Sequence, residues 1–422
     1  MPSLDETASV QLHSPHYLKS VAELGDARDL VASRDIYSTA RVKLVASGTR
    51  FDSTLYEKLL NHRLLPSIDQ CVSMEGLVDG RSLEDEAAIV LLDPRLANLK
   101  NAGELLGLFS AIPLHPAIAF KLTVMREQRP ELFQHSVFVT LLASHLGREM
   151  GLKGRQLERL ATAGLLHDVG IMHVDPRLLE RSYRMSDIER HHLYAHPLTA
   201  WMILNEYAEY STDVLDAVLQ HHERLDGSGY PRGLKEGRIG LPGQILAVSE
   251  IVAGRQNKND AHDRLRLGTI LKFNSRRYGR QLIGHLKVFY REDGEQYLCT
   301  EDEKRQTGEK LDRMNSILAS WSPDQASFPL GNFVQDRMDS LKIGLMDAGL
   351  ISGEKNAILP PSGEEPEACA EAGILLGEAI WRVKSIVGEI RRRWPEIDGE
   401  ADLPKYASVR KWIRDVERIL SS

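Results

Sequence analysis

Residues 221–233 read HHERLDGSGYPRG, and this stretch defines the central part of the chain. Two adjacent histidines, His221 and His222, follow the helical pattern VLDAVLQ and open a long loop that is rich in glycine. The run AGLLHDVG repeats this arrangement, since it puts His167 and Asp168 at the end of another predicted helix. Adjacent residues at a helix end lie about 100° apart and can both turn into one cavity. We therefore expect both pairs to face a common site.

Two further pairs of candidate ligands have helical spacing. Glu131 and His135 are four residues apart, as are His192 and His196, so each pair shares a face of a predicted helix. The second of these helices is predicted to span residues 187–206. Nine of the 15 histidines fall between residues 135 and 222, and such clustering needs a common cause. Three of them match no shared face or adjacent acid and are interpreted as surface residues: His145, His173 and His191.

Acidic residues in apolar surroundings favour a cation site. An ionised Asp168 beside Leu165 and Leu166 would cost several kcal/mol if it were buried without a partner, and a bound cation removes that penalty. Glu250 lies inside the apolar run ILAVSEIVA, so a carboxylate without a partner would likewise be buried among apolar side chains. A second interpretation stays open for Glu250, because a helix normally has a polar face on which an exposed carboxylate can lie.

The chemistry of the candidate ligands limits the ions that would bind. Imidazoles and carboxylates without thiolates suit borderline divalent ions such as iron, manganese, zinc or cobalt. The candidates exceed what one ion takes, which favours two ions about 3.5–4 Å apart. Asp168 could bridge such ions, and a shared water would lose a proton near neutral pH to become the nucleophile. The pattern thus predicts metal-dependent hydrolysis of a phosphate ester.

The order of these motifs resembles that of a known family. His135, the run at residues 167–170, His196 with Pro197, and residues 221–233 together resemble the HD-GYP subgroup of the HD phosphohydrolase superfamily. The resemblance covers about residues 120–290. It implies an all-helical, metal-binding domain that hydrolyses cyclic di-GMP to the linear dinucleotide or onward to GMP.

The resemblance also implies roles for matching residues. The implied metal ligands are His135, His167, Asp168, His196, His221, His222 and Glu250, joined by Glu131 in members that hold an additional ion. His167 and Asp168 are also the implied catalytic residues. The residues expected to bind substrate are Gly229, Tyr230, Pro231 and Arg232. The implied cofactors are two divalent metal ions, or three with the additional one; iron and manganese are favoured, and zinc is an alternative.

Three departures from the family pattern lie on the side expected to face the phosphate. Ile171 stands where the family has lysine, and Glu250 stands where it has aspartate. Downstream, Asn259 and His262 stand where basic residues are expected. Three interpretations are therefore open: an active cyclic di-GMP phosphodiesterase, a catalytically weak or inactive receptor or signalling scaffold, and an HD hydrolase of another nucleotide or phosphate ester.

The length of 422 residues is too great for one compact core and favours two or three domains. We predict a mainly α protein with an N-terminal α+β regulatory module (residues 1–110), a central all-helical HD-type domain (residues 115–290) and a C-terminal helical bundle (residues 300–422). In the first module, DIYSTARVKLVASGT favours strands, and DSTLYEKLLNHRLL favours a helix capped at Asp52 or Ser53. A linker, ILPPSGEEPEA, is predicted among the C-terminal helices.

Composition limits the partners. The net charge is −7 and no long basic run occurs, which argues against a nucleic-acid partner. No apolar stretch approaches the roughly 20 residues that span a bilayer, and the N-terminus lacks the features of a signal peptide, so we expect a cytoplasmic protein without a membrane segment. Cys71, Cys299 and Cys369 are far apart in sequence and are interpreted as small buried residues rather than a disulfide framework. The family resemblance implies that the loop at residues 229–231 shapes the substrate pocket or docks a diguanylate cyclase domain. A homodimer is the other protein partner expected.

Overall fold

The structure is a computed structural model that describes residues 14–180, 182–254, 261–290, 299–322, 328–351, 366–399 and 406–421. Within these ranges the chain is mainly helical and its strands are short. The chain divides into two compact units, residues 1–256 and residues 257–422. The boundary expected near residue 110 falls inside the first unit, so the three-domain division stays a prediction. No helix among the described residues is both long and apolar enough to cross a membrane.

The N-terminal part of the first unit mixes short strands with helices, as the sequence predicts. Its elements are α1 (Pro15–Ala27), β1 (Val31–Ala32), β2 (Ile36–Ser38), β3 (Lys43–Val45), α2 (Ser53–Leu59), β4 (Leu64–Leu65), β5 (Val72–Ser73), α3 (Gly80–Val90) and α4 (Ala102–Ser110), with 3₁₀ helices at Ile68–Gln70 and Pro94–Leu96. One antiparallel sheet has the order β3-β2-β4, and β1 pairs with β5 in another. Asp52 caps α2, because its Oδ1 accepts a hydrogen bond from the Leu55 backbone N–H (3.0 Å).

The rest of the first unit is helical. Its elements are α5 (Pro116–Gln128), α6 (Pro130–Glu149), α7 (Arg155–Leu166), α8 (Asp187–Tyr194), α9 (His196–Leu204), α10 (Thr212–Gln220) and α11 (Leu241–Ala253), with 3₁₀ helices at Val169–His173 and Pro176–Leu179. Helix α6 packs against α5, α7 and α11, while α10 packs against α7, α9 and α11. This packing brings the C-terminal ends of α7 and α10 and the N-terminal end of α9 together beside α6.

Helix α6 lies at the centre of this unit. Its sequence pattern predicts a single apolar stripe, but every residue from 136 to 147 is buried. The neighbouring helices cover α6 on several sides, and a helix surrounded in this way buries even its small polar residues. His145 is accordingly buried, with 4% of its surface exposed, so its interpretation as a surface histidine is wrong.

The single helix predicted for residues 187–206 is two helices. Helix α8 ends at Tyr194, Ala195 is its C-cap, and α9 begins at His196. Pro197 explains the break, because proline has no backbone N–H and its ring clashes with the carbonyl group four residues before it. His192 and His196 therefore do not share one continuous helical face.

The second unit is a helical assembly, as predicted for the C-terminal region. Its elements are α12 (Ala261–Phe273), α13 (Ser275–Tyr278), α14 (Arg280–His285), α15 (Glu301–Ser320), α16 (Pro329–Asp347), α17 (Pro366–Arg393) and α18 (Ala407–Ser421), with 3₁₀ helices at Leu286–Phe289 and Pro395–Asp398. Helices α12 and α15–α18 share a core in which the rings of Trp321 and Trp412 meet edge to face at 5.6 Å. Most of the linker predicted at residues 358–368 lies outside the described residues.

Candidate metal centre

The candidate ligands come from helix ends and from two helix faces. Helix α7 ends just before His167 and Asp168, and α10 ends just before His221 and His222, as the sequence predicts. His196 is the first residue of α9. His135 and Glu250 project from α6 and α11, respectively. Helix ends can hold side chains at fixed angles, because the preceding turns are already ordered by packing.

The same type of hydrogen bond orients three of the histidines. The Nδ1 atom of each donates to the carbonyl oxygen three residues earlier: His167 to Gly164 (2.7 Å), His196 to Leu193 (2.6 Å) and His221 to Val218 (2.6 Å). A carbonyl oxygen only accepts hydrogen bonds, so Nδ1 carries the proton in each ring. The Nε2 atoms are then left with lone pairs that point into the site, which is the arrangement of metal-binding imidazoles.

The carbonyl groups that accept these bonds are available for a structural reason. The last carbonyl groups of a helix have no partner within that helix. At His196 the cause is local, because Pro197 has no N–H to offer to the Leu193 oxygen. The same proline that ends α8 thus frees the acceptor that orients His196.

The ligand atoms fall into two groups. The Asp168 group consists of Asp168, His196, His221 and His222, and the Glu250 group consists of His135, His167 and Glu250. Within each group the ligand atoms lie within 4.8 Å of one another. Each group therefore has the dimensions needed to hold one ion.

In the Asp168 group, acceptor atoms face one another closely. Asp168 Oδ1 lies 3.3 Å from His196 Nε2 and 3.7 Å from His221 Nε2. The two Nε2 atoms are 3.2 Å apart, and both rings already carry their proton on Nδ1. A cation between these atoms would turn a repulsive contact into coordination.

In the Glu250 group, one carboxylate oxygen lies between two imidazoles. Glu250 Oε1 lies 2.9 Å from His167 Nε2 and 3.0 Å from His135 Nε2. The side chain is 16% exposed, so the alternative in which Glu250 lies on an exposed helix face is wrong. The extra methylene of glutamate still allows the carboxylate to reach both imidazoles.

Asp168 connects the two groups. Its Oδ1 atom faces His196 and His221, whereas its Oδ2 atom lies 3.2 Å from His167 Nε2 and 3.8 Å from His135 Nε2. One carboxylate thus presents one oxygen to each group. This is the geometry required of a ligand that bridges two ions.

The residues of the centre fit divalent cations on their own chemistry. His167 Nε2 and Asp168 Oδ1 are buried and have no hydrogen-bond partner, although both lie at ion-pair distances from neighbouring ligand atoms. Buried acceptors without donors cost free energy unless a cation or a donor occupies the space between them. A donor set of imidazole nitrogens and carboxylate oxygens suits borderline divalent ions.

Protonation equilibria agree with this interpretation. Burial opposes ionisation of Asp168, but His167 and His196 hold the pKa of its carboxyl group well below the usual range. The pKa of Glu250 is likewise held low against burial by His135 and His167. Burial and the neighbouring imidazoles of His167 and His196 lower the pKa of His221 to about 3. Against the effect of burial, Asp168 and Glu250 raise the pKa values of His167 and His135, so a metal ion that binds these two rings would displace a proton. Anionic carboxylates and a neutral imidazole are the ligand forms that bind metal.

Glu131 lies apart from both groups. Its side chain is exposed, and it is not among the residues that approach within coordinating distance. Its role as a ligand for an additional ion stays a prediction. Ile171 is buried with 7% of its surface exposed. Asn259 lies outside the described residues.

The loop at residues 221–233 wraps beside the Asp168 group. The Glu223 carboxylate accepts hydrogen bonds from the backbone N–H groups of Arg232 (2.7 Å) and Leu234 (2.8 Å) and so fixes the end of the loop. The Tyr230 ring stacks on Tyr194 at 4.1 Å and lies 4.6 Å from the His222 ring. Two of these residues, Glu223 and Tyr194, were not singled out as functional from sequence, although Glu223 directly follows the histidine pair.

Two glycines permit the close approach of backbone segments around the centre. A Cβ atom on Gly170 would lie 2.2 Å from the His196 carbonyl oxygen, and one on Gly229 would lie 2.5 Å from the Arg224 nitrogen. Neither contact is sterically possible with a larger residue in this backbone. Gly170 therefore lets the 3₁₀ helix Val169–His173 pack directly under His196, and Gly229 lets the loop fold back on itself next to Tyr230. Pro231 is half-buried, and Arg232 is exposed.

A second polar cluster, the Lys121 cluster, consists of Tyr17, Asp69, Lys121 and His173. Lys121 Nζ lies 2.9 Å from Asp69 Oδ2, 3.2 Å from His173 Nε2 and 3.4 Å from the centre of the Tyr17 ring. The Tyr17 hydroxyl donates a hydrogen bond to Asp69. Burial lowers the pKa of Lys121, while Asp69 opposes that shift. The cluster joins α1 and the 3₁₀ helix Ile68–Gln70 to α5 and to the 3₁₀ helix that follows Asp168.

His173 was interpreted from sequence as a surface residue, and this is wrong. Only 4% of its surface is exposed. Its ring packs on Tyr17 at 4.7 Å and contacts Lys121. The sequence carried no local signal for this burial, because the contacting residues lie more than 50 positions away in the chain.

Comparison with known proteins agrees with the geometry of the centre. Residues 119–282 match the protein family described as HD domain. A 3′3′-cGAMP-specific phosphodiesterase of Vibrio cholerae is 36% identical over 119 residues, which are 28% of this chain and 27% of the relative. A cyclic di-GMP phosphodiesterase of Pseudomonas aeruginosa is 33% identical over 152 residues, which are 36% of this chain and 37% of the relative. The chain thus matches well under half the length of these relatives.

The central segment of the chain is thus similar to HD domains. Its motifs and its relatives, which are phosphodiesterases of cyclic dinucleotides, support the HD-GYP type within that family. Among solved structures, an HDG"Y"P protein from Bdellovibrio bacteriovorus aligns with 62% of this chain and 95% of that chain, with a TM-score of 0.32 and 16% identity. A similarity at that level supports no inference about the chain.

Proposed function

We propose that the protein is a metal-dependent phosphodiesterase that hydrolyses a cyclic dinucleotide, with cyclic di-GMP as the first candidate substrate. The observation that carries the proposal is the position of Asp168, whose two oxygens face two separate groups of ligand atoms. Divalent ions held there would polarise a phosphoryl oxygen and lower the pKa of a water molecule. That chemistry suits the attack of water on a phosphodiester.

The residues of the chain contribute orientation and charge. His167, His196 and His221 are held by backbone hydrogen bonds that keep Nε2 free, so no reorganisation is needed when a ligand arrives. Asp168 and Glu250 supply negative charge, which limits the net positive charge of the loaded centre. A centre that keeps a net positive charge when it holds divalent ions would attract the negative charge of a phosphodiester.

The loop at residues 221–233 supports a nucleotide substrate. Tyr230 is half-buried between Tyr194 and His222, and these rings form an aromatic wall beside the Asp168 group against which a nucleobase can pack. Arg232 belongs to the same loop and is exposed, so its guanidinium can pair with a second phosphate. The similarity to phosphodiesterases of cyclic di-GMP or 3′3′-cGAMP supports the same class of substrate.

A second candidate function is a cyclic dinucleotide receptor that retains metal but turns substrate over slowly. Ile171 favours this alternative, because it is apolar and buried where the family has a cationic lysine. Loss of a cation near the phosphate would weaken stabilisation of the transition state more than it weakens binding.

The finer features of the proposal follow from the same site. We propose iron or manganese for the centre ahead of zinc because the resemblance to the HD-GYP subgroup implies them, whereas the imidazole and carboxylate ligands by themselves suit all three ions. The loop at residues 229–231 is the surface on which a diguanylate cyclase domain would dock. A homodimer and a cytoplasmic location complete the proposal, the latter because cyclic dinucleotide signalling takes place in the cytoplasm.

The proposal is tested by turnover. Protein prepared without oxygen is loaded with Mn²⁺ or Fe²⁺ and incubated with cyclic di-GMP, with 3′3′-cGAMP and with a simple phosphodiester, and products are separated by chromatography. We expect linear dinucleotide or mononucleotide from a cyclic dinucleotide, and loss of at least about 10²-fold in rate after chelation or in His167→Ala. His62→Ala, a change at an exposed histidine of the N-terminal part, is the matched control and should retain the rate.

Each arm of this experiment identifies one alternative. Tight binding of a cyclic dinucleotide without products would replace the enzyme with the receptor. Hydrolysis of the simple phosphodiester without affinity for either cyclic dinucleotide would indicate an HD hydrolase of another phosphate ester.

A further inference from the structure

Two cysteines of the second unit meet, although 70 positions separate them in the chain. The Sγ atoms of Cys299 and Cys369 are 2.8 Å apart, and both residues are half-buried. The sequence alone favours three small buried cysteines that are far apart and form no disulfide framework. That interpretation fails for this pair, whereas Cys71 is buried, with 0% of its surface exposed.

The meeting of the two thiols is fixed by helix packing. Cys299 directly precedes Thr300, the N-cap of α15, and Thr300 and Glu303 form a reciprocal capping box. Cys369 lies in the first turn of α17. Both sulfur atoms therefore belong to the ordered beginnings of helices.

The contact between α15 and α17 continues beyond the cysteines. A Cβ atom on Gly373 would lie 2.6 Å from Thr307 Oγ1, so glycine allows the two helices to approach closely one turn further on. Lys310 Nζ donates a hydrogen bond to the Gly373 carbonyl oxygen (3.3 Å). These contacts lie on the same side as the cysteines and hold the two helix beginnings together.

We propose that Cys299 and Cys369 are a reversible oxidation site that forms an intrachain disulfide and joins the beginnings of α15 and α17. The sulfurs need to approach by only about 0.8 Å to reach a bond length of about 2.05 Å. Their separation along the chain means that the bond would close a long loop, from residue 299 to residue 369.

The chemical step balances with a peroxide as the oxidant. One thiol reacts with hydrogen peroxide to give a sulfenic acid and one water molecule, and the second thiol displaces a second water molecule as the S–S bond forms. The two thiols lose two electrons and two protons, which the cleaved O–O bond takes up. Burial and the neighbouring Cys369 raise the pKa of the Cys299 thiol to about 12, so little thiolate is present at neutral pH and the reaction is slow.

The composition of the chain makes the test direct, because it contains three cysteines. Full-length protein is treated with hydrogen peroxide, denatured and alkylated, and the alkyl groups are counted by mass spectrometry. We expect the count to fall from three to one, with Cys71 as the remaining thiol and a peptide in which Cys299 is linked to Cys369. Dithiothreitol should restore all three thiols.

Variants separate the proposed pair from other reactions. Cys71→Ala should retain the linked peptide, whereas Cys299→Ser should abolish it. Oxidation should raise the melting temperature of the wild-type protein by about 4 °C or more and leave that of Cys299→Ser unchanged. Three thiols that persist after peroxide treatment would overturn the proposal, as would a link to Cys71 or between two chains.

Discussion

Replacing Asp168 with asparagine should abolish the proposed hydrolysis, with a loss of about 10³-fold or more in rate. The change preserves the shape of the side chain but removes the negative charge that both ligand groups share. Oδ1 faces His196 and His221, and Oδ2 faces His167. An amide can offer one oxygen at most, so at least one group loses a ligand. Metal bound per chain, measured by elemental analysis, should fall together with the rate.

The matched control for this change is Asp216→Asn. Asp216 is exposed on α10, the helix that ends just before His221, so this variant removes the same charge without touching a ligand group. It should keep wild-type metal content and turnover. Unchanged metal content in Asp168→Asn would show that Asp168 is not a bridging ligand.

Replacing Lys121 with methionine should lower the free energy of unfolding of the first unit by about 3–5 kcal/mol. The side chain of Lys121 is 1% exposed, and that of its partner Asp69 is 9% exposed. Removing the ammonium leaves the Asp69 carboxylate buried with only the Tyr17 hydroxyl and nearby groups to stabilise its charge. Denaturant unfolding, followed by circular dichroism, measures the effect.

Two further variants test whether the loss of stability comes from the buried Asp69 carboxylate left without its partner. Lys121→Met combined with Asp69→Leu removes both charges and should recover most of the lost stability, because a buried ion pair can be replaced by apolar groups at little cost. Lys153→Met, a change at an exposed lysine that precedes α7, should stay within about 0.5 kcal/mol of wild type. A loss below about 1 kcal/mol in Lys121→Met would mean that the ion pair contributes little to the fold.

The sequence predicts those metal ligands whose positions depend on the local helical pattern. His167, Asp168, His221 and His222 follow helical runs that end where the pattern says they end, and the family motif implied the ligands that the structure brings together. The burial of Glu250 could not be predicted from the sequence, because it depends on which side of α11 faces α6. The bridging geometry of Asp168 also needed coordinates, since the sequence does not specify the direction of two oxygen atoms.

The features that could not be predicted from the sequence depend on contacts between residues that are far apart in the chain. The burial of His173 depends on Tyr17 and Lys121, and the thiol pair depends on the packing of α15 against α17. Such contacts leave no periodic trace in the chain. The break between α8 and α9 was different, because Pro197 was visible in the sequence and its effect on the preceding helix is general.

X-ray diffraction from crystals of manganese-loaded protein tests most directly whether the Asp168 carboxylate joins two metal sites. Anomalous scattering should reveal two peaks about 3.5–4 Å apart. One peak should lie among His196, His221 and His222 and the other among His135, His167 and Glu250, with an Asp168 oxygen next to each. A single peak, or manganese bound only elsewhere on the protein, would show that Asp168 does not join two metal sites.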